Sequence, residues 1–354
     1  MPRRLAITGP HRVEVIEYQD PPLKAHQVLV KTEIASGKHG TMKALLDNVN
    51  FRGQNFDQNM RLFIPQPEGE PSRGPSRETP IGVGTSGLGA VVEVGEAVTR
   101  WKVGDRVFGL MDARETNLCA EDRLWEIGDL DPLLALCIEP AYVAFHSVRE
   151  SQIRFGDTVA VVGLGAIGLL AVQMAYQSGA EKIFAVDMLA NRREWALEHG
   201  AHYALDPRAG DVALEIHRLL GGPGVDVAIE VAGVYAALQT AIRCVRIGGT
   251  ICATGFYQGE AGGLWLGREW HHNRLTMLVP HGCGWGSPPR DYPRWDEKRA
   301  YEAIVSMMRQ GRLKADGLIQ PVVALEDGPD IFRMIEHEPE KVTKFAIRFD
   351  NSGS

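Results

Sequence analysis

The sequence predicts an α/β protein in two parts: a doubly wound parallel sheet in the middle of the chain, and β-rich chain ends around it. Three observations carry this. From Asp157 to Pro280, short apolar runs alternate with helical stretches of about ten to fifteen residues. The first of these runs opens directly into the glycine pattern "GLGAIG". The chain ends lack that alternation, and 354 residues are too many for one ordinary core.

The first third reads as strands and turns. "VLVKTEI" alternates apolar and polar residues, and "GAVVEVGEAVTRWKVGDRVFG" gives two strands joined through Gly95, Gly104 and Asp105. Five prolines between Pro65 and Pro80 make that stretch a surface loop. In the middle third, "DTVAVVG", "KIFAVD", "YALD", "VDVAIEVAG", "TICATGF" and "LTMLVP" read as strands. "AIGLLAVQMAYQSG", "LANRREWALEHG", "VALEIHRLLG" and "AALQTAIRCVRIGG" supply the helices between them. The last sixty or so residues hold a helix, "RAYEAIVSMMRQGR", then "PVVALEDGPDIFRMIEH" and a final strand, "KFAIRF".

Composition limits the function. Hydrophobic residues are 44% and charged residues 23%, as in soluble globular proteins. A net charge of -7 argues against nucleic acid as a partner, because a phosphate-binding face needs a basic excess. The N-terminus has no apolar stretch after its arginines, and no run of about 20 apolar residues occurs, so no secretory signal and no membrane span are expected. Cys119, Cys137, Cys244, Cys252 and Cys283 are scattered and never paired as CxxC, which suits a cytoplasmic protein.

In "VAVVGLGAIG", Gly163, Gly165 and Gly168 follow a strand and open a helix. The first glycine makes the tight turn, the second lets a pyrophosphate approach the backbone, and the third lets helix and strand pack. The helix N-terminus, at Ala166 and Ile167, favours phosphate charge. The next strand ends in Asp187, followed by Met188. A carboxylate there accepts from ribose hydroxyls and repels a 2′-phosphate, so NAD is expected rather than NADP. Arg192, five residues on, could soften that preference but reads as a solvated helix residue.

These segments, with "EPAYVAFHSV", "GVDVAIEVAG", "VRIGGTICATGF" and "MRQGRLKADGLIQPVVALEDGPDIFRMI", resemble the medium-chain dehydrogenase/reductase superfamily over nearly the whole chain. These are the zinc alcohol and polyol dehydrogenases. The resemblance implies a GroES-like catalytic domain from residues 1–139 and 282–354, a Rossmann NAD-binding domain from 140–281, and a homodimer or homotetramer. It also implies that Val231, Ala232 and Gly233 lie beside the cofactor. Thr254, Gly255 and Phe256 would lie at the nicotinamide ribose, Pro280 and His281 near the nicotinamide, and Lys344 at the pyrophosphate.

The chain departs from its family at the metal. Thr85 and Ser86 stand where zinc-dependent members have His and Glu, and "SGKHGTM" has no Cys. Hydroxyls are poor zinc ligands. "FGLMDARETNLCAED" has one Cys where a structural zinc lobe needs four. Both zinc sites are therefore expected to be absent. Oxidising an alcohol without zinc needs a general base and positive charge at the forming alkoxide. Lys38 could supply both, His39 could act as base or relay, Thr41 could pass a proton, and Glu139 could hold the cation. In "LGREWHHNRLTMLVPHGCGWG", Trp270, His281 and Trp285 could line a pocket for a sugar or ring-bearing substrate. If this segment is a strand, His271 and His272 point to opposite faces.

The expected function is zinc-independent, NAD-dependent interconversion of a secondary alcohol and its ketone on a small sugar, polyol or ring compound. The alternatives are a redox-neutral lyase or epimerase using NAD transiently, a zinc-free quinone-type reductase, and a nucleotide-binding protein without catalysis.

Overall fold

The computed structural model describes residues 1–46, 54–67, 74–280 and 289–349. Both chain ends build one mixed sheet. Its central strand, β1 (Gln27–Ser36), is flanked by β2 (Ser86–Val94) and by the C-terminal strand Lys344–Arg348, both antiparallel to it. β1 alternates buried and half-buried residues along most of its length, as the sequence pattern requires of a sheet packed on one face. A short helix, α1 (His39–Leu46), follows β1 directly.

The helix α2 (Ile138–Glu150) leads into the second domain, which begins with β3 (Thr158–Val162), α3 (Ala166–Gln177) and β4 (Lys182–Val186). α4 (Ala190–Glu198), β5 (Tyr203–Leu205), α5 (Val212–Leu220), β6 (Val225–Glu230), α6 (Tyr235–Cys244), β7 (Val245–Ala253) and β8 (Thr276–Leu278) follow. The sheet order is β5-β4-β3-β6-β7-β8, all parallel. β3 and β4 are buried at four of their five residues, because helices cover both faces. The order reverses between β3 and β6, which opens a crevice at the strands' C-terminal ends.

Two local readings change. β7 begins at Val245, so "VRIGG" belongs to the strand and not to the helix before it. Trp270, His271 and His272 form a short helix, Glu269–His272, so the two histidines do not alternate across a strand. The helix forms there because the chain has already turned before the edge strand β8.

The largest apolar core does not respect the domain boundary. Ile34, Leu88 and Phe108 of the β-rich part join Val159, Leu169 and Ile183 of the second domain through Ile138, Ala141 and Ala144 of α2. Each such burial contributes about 1.5–3 kcal/mol for a large aliphatic side chain. The two domains are thus fixed against one shared helix. Among the described residues, no helix is long and apolar enough to cross a membrane.

Gly163 has φ +96°, a conformation that disfavours any side chain. A Cβ on Gly168 would lie 1.9 Å from the Gly163 carbonyl oxygen. Gly168→Ala should therefore push helix α3 off the turn and lower the unfolding free energy by about 1–3 kcal/mol, as overpacking does elsewhere. A fall in Tm would report this, and an unchanged Tm would contradict it.

Candidate functional site

A cleft of about 2200 Å³ runs between the two domains. Its second-domain wall starts at the glycine turn. Gly163, Gly165, Ala166 and Ile167 line it, and a Cβ on Gly165 would meet nothing within 4 Å. Gly168 lies behind them, against the turn. The open approach at Gly165 and the free N–H groups of the first turn of α3 suit an extended phosphate group.

Asp187 and Met188 lie at the end of β4, on the same wall. The Asp187 carboxylate accepts from Leu164 N at 2.7 Å and Leu189 N at 2.8 Å, which fixes its orientation. Arg192 is not the solvated residue its sequence context suggests. Its side chain is only 15% exposed, and Nη2 donates to the carbonyls of Val342 at 3.0 Å and Pro339 at 3.2 Å. The sequence could not show this, because the C-terminal segment folds back over α4. Arg193 donates to Asp187 O, and Arg208 is taken up by Asp206 and by Met188 O.

Val231, Ala232 and Gly233 follow β6, and Thr254, Gly255 and Phe256 follow β7; all six line the cleft, with Pro280 beyond β8. Ser147 of α2 and Thr254 share a hydrogen bond of 2.8 Å between their hydroxyls. Beneath these two loops lies Glu230, fully buried, whose carboxyl is pushed up to about 7 by burial. It accepts from Gly233 N at 3.0 Å and from the Tyr257 hydroxyl. Sequence reading missed Glu230 and Tyr257. The available signal was a lone charged residue closing the apolar strand "VDVAIE".

Lys38 and Glu139 also line the cleft, and Lys38 Nζ lies 2.5 Å from Glu139 Oε1. Lys38 comes from the turn after β1 and Glu139 from the first turn of α2, so the pair spans the two parts of the site. Glu139 Oε2, Thr85 Oγ1 and Ser86 Oγ are buried with no hydrogen-bond partner among the described residues. Lys344 is also buried in this corner and donates from Nζ to the Gly37 carbonyl at 3.3 Å. Burial lowers its pKa, and the charges of Glu139 and Lys38 both act on it. Lys344 thus sits beside the Lys38–Glu139 pair, whereas the resemblance implies a place at the pyrophosphate.

The backbone of His39 and Thr41 opens α1, while their side chains lie outside the described residues, as do His281 and Trp285. Trp270 does not join the cleft wall. It packs against the second-domain core around Leu275 and Leu238, because its short helix faces inward there.

Residues 24–128 match the model of the alcohol dehydrogenase GroES-like domain, and residues 166–295 that of the zinc-binding dehydrogenases. D-guloside 3-dehydrogenase of Escherichia coli (strain K12) is 34% identical over 361 residues, covering 98% of this chain and 100% of that protein. The chain belongs to the medium-chain dehydrogenase/reductase superfamily. (R,R)-butanediol dehydrogenase of Bacillus subtilis (strain 168) is 31% identical over 75% of this chain and 80% of its own. The crystal structure of 2R,3R-butanediol dehydrogenase from Bacillus subtilis superposes with a TM-score of 0.76 at 26% identity, over 99% of this chain and 100% of that one. This medium-chain dehydrogenase/reductase is therefore an oxidoreductase of the alcohol dehydrogenase type, with a Rossmann-type domain and a GroES-like domain, in a family that uses nicotinamide cofactors.

Among the described residues, the donors at the Lys38 corner are not a zinc ligand set. Zinc takes thiolate, imidazole and carboxylate at about 2.0–2.3 Å. Here the described groups on the cleft are the Glu139 carboxylate, the Lys38 ammonium and the Thr85 hydroxyl, and the ammonium already occupies the carboxylate. Among the described residues, no three His, Cys, Asp or Glu side chains group as metal ligands.

Removing one partner of a mostly buried ion pair strands the other charge. With Lys38 24% exposed and Glu139 7%, Lys38→Met should cost about 2 kcal/mol, discounted for solvent at Lys38. The double variant Lys38→Met/Glu139→Gln should recover most of that loss. Additive losses in chemical denaturation would show that the pair is not coupled.

Proposed function

We propose that this protein is a zinc-independent, NAD-dependent dehydrogenase that interconverts a secondary alcohol on a sugar ring with its ketone. The observation that carries this reading is the Lys38–Glu139 pair, standing with a buried Lys344 in the corner of the cleft where the family's metal chemistry would otherwise be done.

A bound nicotinamide dinucleotide supplies the hydride acceptor. The protein must take the hydroxyl proton and stabilise the negative charge that grows on the oxygen. Lys38 accepts that proton in its deprotonated form, reached when the ammonium paired with Glu139 has given its own proton to solvent. In the reverse direction its ammonium returns the proton to the forming hydroxyl. Glu139 holds the Lys38 Nζ in place, so the charge needs no reorganisation during the step. The buried Lys344 lines the same corner, its Nζ held by the Gly37 carbonyl, as a further hydrogen-bond donor. Thr85 Oγ1, which has no partner among the described residues, is free to donate to a neighbouring substrate hydroxyl. Polar groups left unpaired in this way suit a substrate rich in hydroxyls.

The adenosine end favours NAD. The carboxylate of Asp187 repels a 2′-phosphate, and Arg192 Nη2, Arg193 and Arg208 each donate to protein acceptors. The sugar substrate is supported by the relative named D-guloside 3-dehydrogenase, which the chain matches over its full length.

The test is oxidation of a panel of methyl pyranosides and linear polyols with NAD, followed by NADH formation. At least one pyranoside should be oxidised with one NADH released per ketone formed. Lys38→Ala should lower kcat by about 10²–10⁴-fold, the usual contribution of a general acid–base. Turnover without net NADH would support the redox-neutral alternative instead. Lys38→Ala with unchanged kcat would remove the lysine from the chemistry. NADH should bind at least ~10-fold more tightly than NADPH, and equal affinities would overturn the cofactor assignment.

A further inference from the structure

The buried carboxylate of Glu230 joins the two loops that flank the inner half of the cleft. Its side chain accepts from Gly233 N in the loop after β6 and from the hydroxyl of Tyr257 in the loop after β7. Its main-chain carbonyl accepts from Thr254 N at 2.9 Å and Gly255 N at 3.1 Å. The loops touch at this point. A Cβ on Gly255 would lie 2.4 Å from Gly233 Cα and 2.6 Å from Glu230 Oε2. Gly233, Gly255 and Tyr257 all line the cleft, so their positions shape the surface a dinucleotide would meet.

We propose that Glu230 is a positioning residue whose ionised carboxylate clamps the 231–233 and 254–257 loops together, and that cofactor affinity follows its ionisation. The proposal rests on the reading of the cleft as a nicotinamide dinucleotide site.

Ionised, the carboxylate offers acceptors to every donor around it. Protonated, one oxygen becomes a donor, and both donors' hydrogen bonds weaken. Few other titratable groups face it. Tyr257 is its direct partner, Tyr235 of the following helix stacks on Tyr257 at 5.4 Å, and Cys252 lies on β7 below. No charged side chain pairs with Glu230 among the described residues. Burial is what raises the carboxyl to about 7, against an ordinary 4.5, and the Tyr257 and Gly233 hydrogen bonds partly oppose it. Folding therefore takes up a proton at this group. Its contribution to stability is full below about 4.5 and is lost as pH rises through about 7. The clamped, charged state is thus the less stable form and the better binder.

The experiment measures NADH affinity by fluorescence titration between pH 6 and pH 8.5, with the full chain. In the wild type, Kd should rise about tenfold from pH 8 to pH 6, since about one molecule in ten is then ionised. Glu230→Gln should bind weakly at every pH, with no such slope. Tyr257→Phe should keep the slope and move its midpoint to higher pH, because the lost phenol hydrogen bond holds the carboxyl down. A purely structural role would not move that midpoint. A flat wild-type Kd, or a slope that survives in Glu230→Gln, overturns the proposal.

Hydrogen exchange of residues 231–234 and 254–257 in the free protein provides the second measurement. Exchange in both loops should be faster in Glu230→Gln than in the wild type at pH 8, and equal exchange overturns the clamp. If NADH binds at no pH while the exchange difference is seen, the dinucleotide reading fails and the clamp stands.

Discussion

The ion pair between Lys38 and Glu139 is the constraint on which the site depends. Each residue belongs to a different structural unit. Lys38 lies in the turn after the central strand of the β-rich sheet, and Glu139 lies in the first turn of the helix whose apolar face is shared by both domains. The pair closes the inner end of the cleft at 2.5 Å. A carboxylate buried this deeply is costly unless a cation meets it, so the pair fixes where the turn after β1 can sit. Lys344, tied to the neighbouring carbonyl of Gly37, is buried in the same corner.

The opposite end of the cleft works by backbone geometry rather than charge pairs. The turn at Gly163 and the contact at Gly168 let α3 aim its N-terminus at the crevice between β3 and β6. Asp187 is oriented by two backbone N–H groups, and the arginines around it are anchored to carbonyls and to Asp206. Arg192 also ties the second domain to the C-terminal segment, so recognition at this end and domain packing share a residue. Glu230 adds an internal clamp between two cleft loops, at the expense of burying a carboxylate.

Much of this was legible in the sequence because it depends on local pattern. The glycine spacing, the strand before it and Asp187 after it are all set within about thirty residues, and the structure places them on one wall. Lys38 and Glu139 could be named as candidates, but their contact joins positions a hundred residues apart and needed the fold. The same distance hid Arg192, whose partners Pro339 and Val342 lie at the other end of the chain. Trp270 was misplaced because four polar and aromatic residues carry too little periodicity to separate a strand from one helical turn. Glu230 was overlooked because its acceptor role depends on Tyr257, a residue of the next loop.

If the lysine–glutamate corner does work the family elsewhere gives to zinc, sugar oxidation survives removal of metal. The most direct measurement is sugar oxidation by one preparation before and after exhaustive dialysis against a strong chelator, with zinc content determined on both samples. The account predicts substoichiometric zinc and the same kcat in each. Loss of activity on dialysis, restored by one equivalent of zinc per chain, would contradict it.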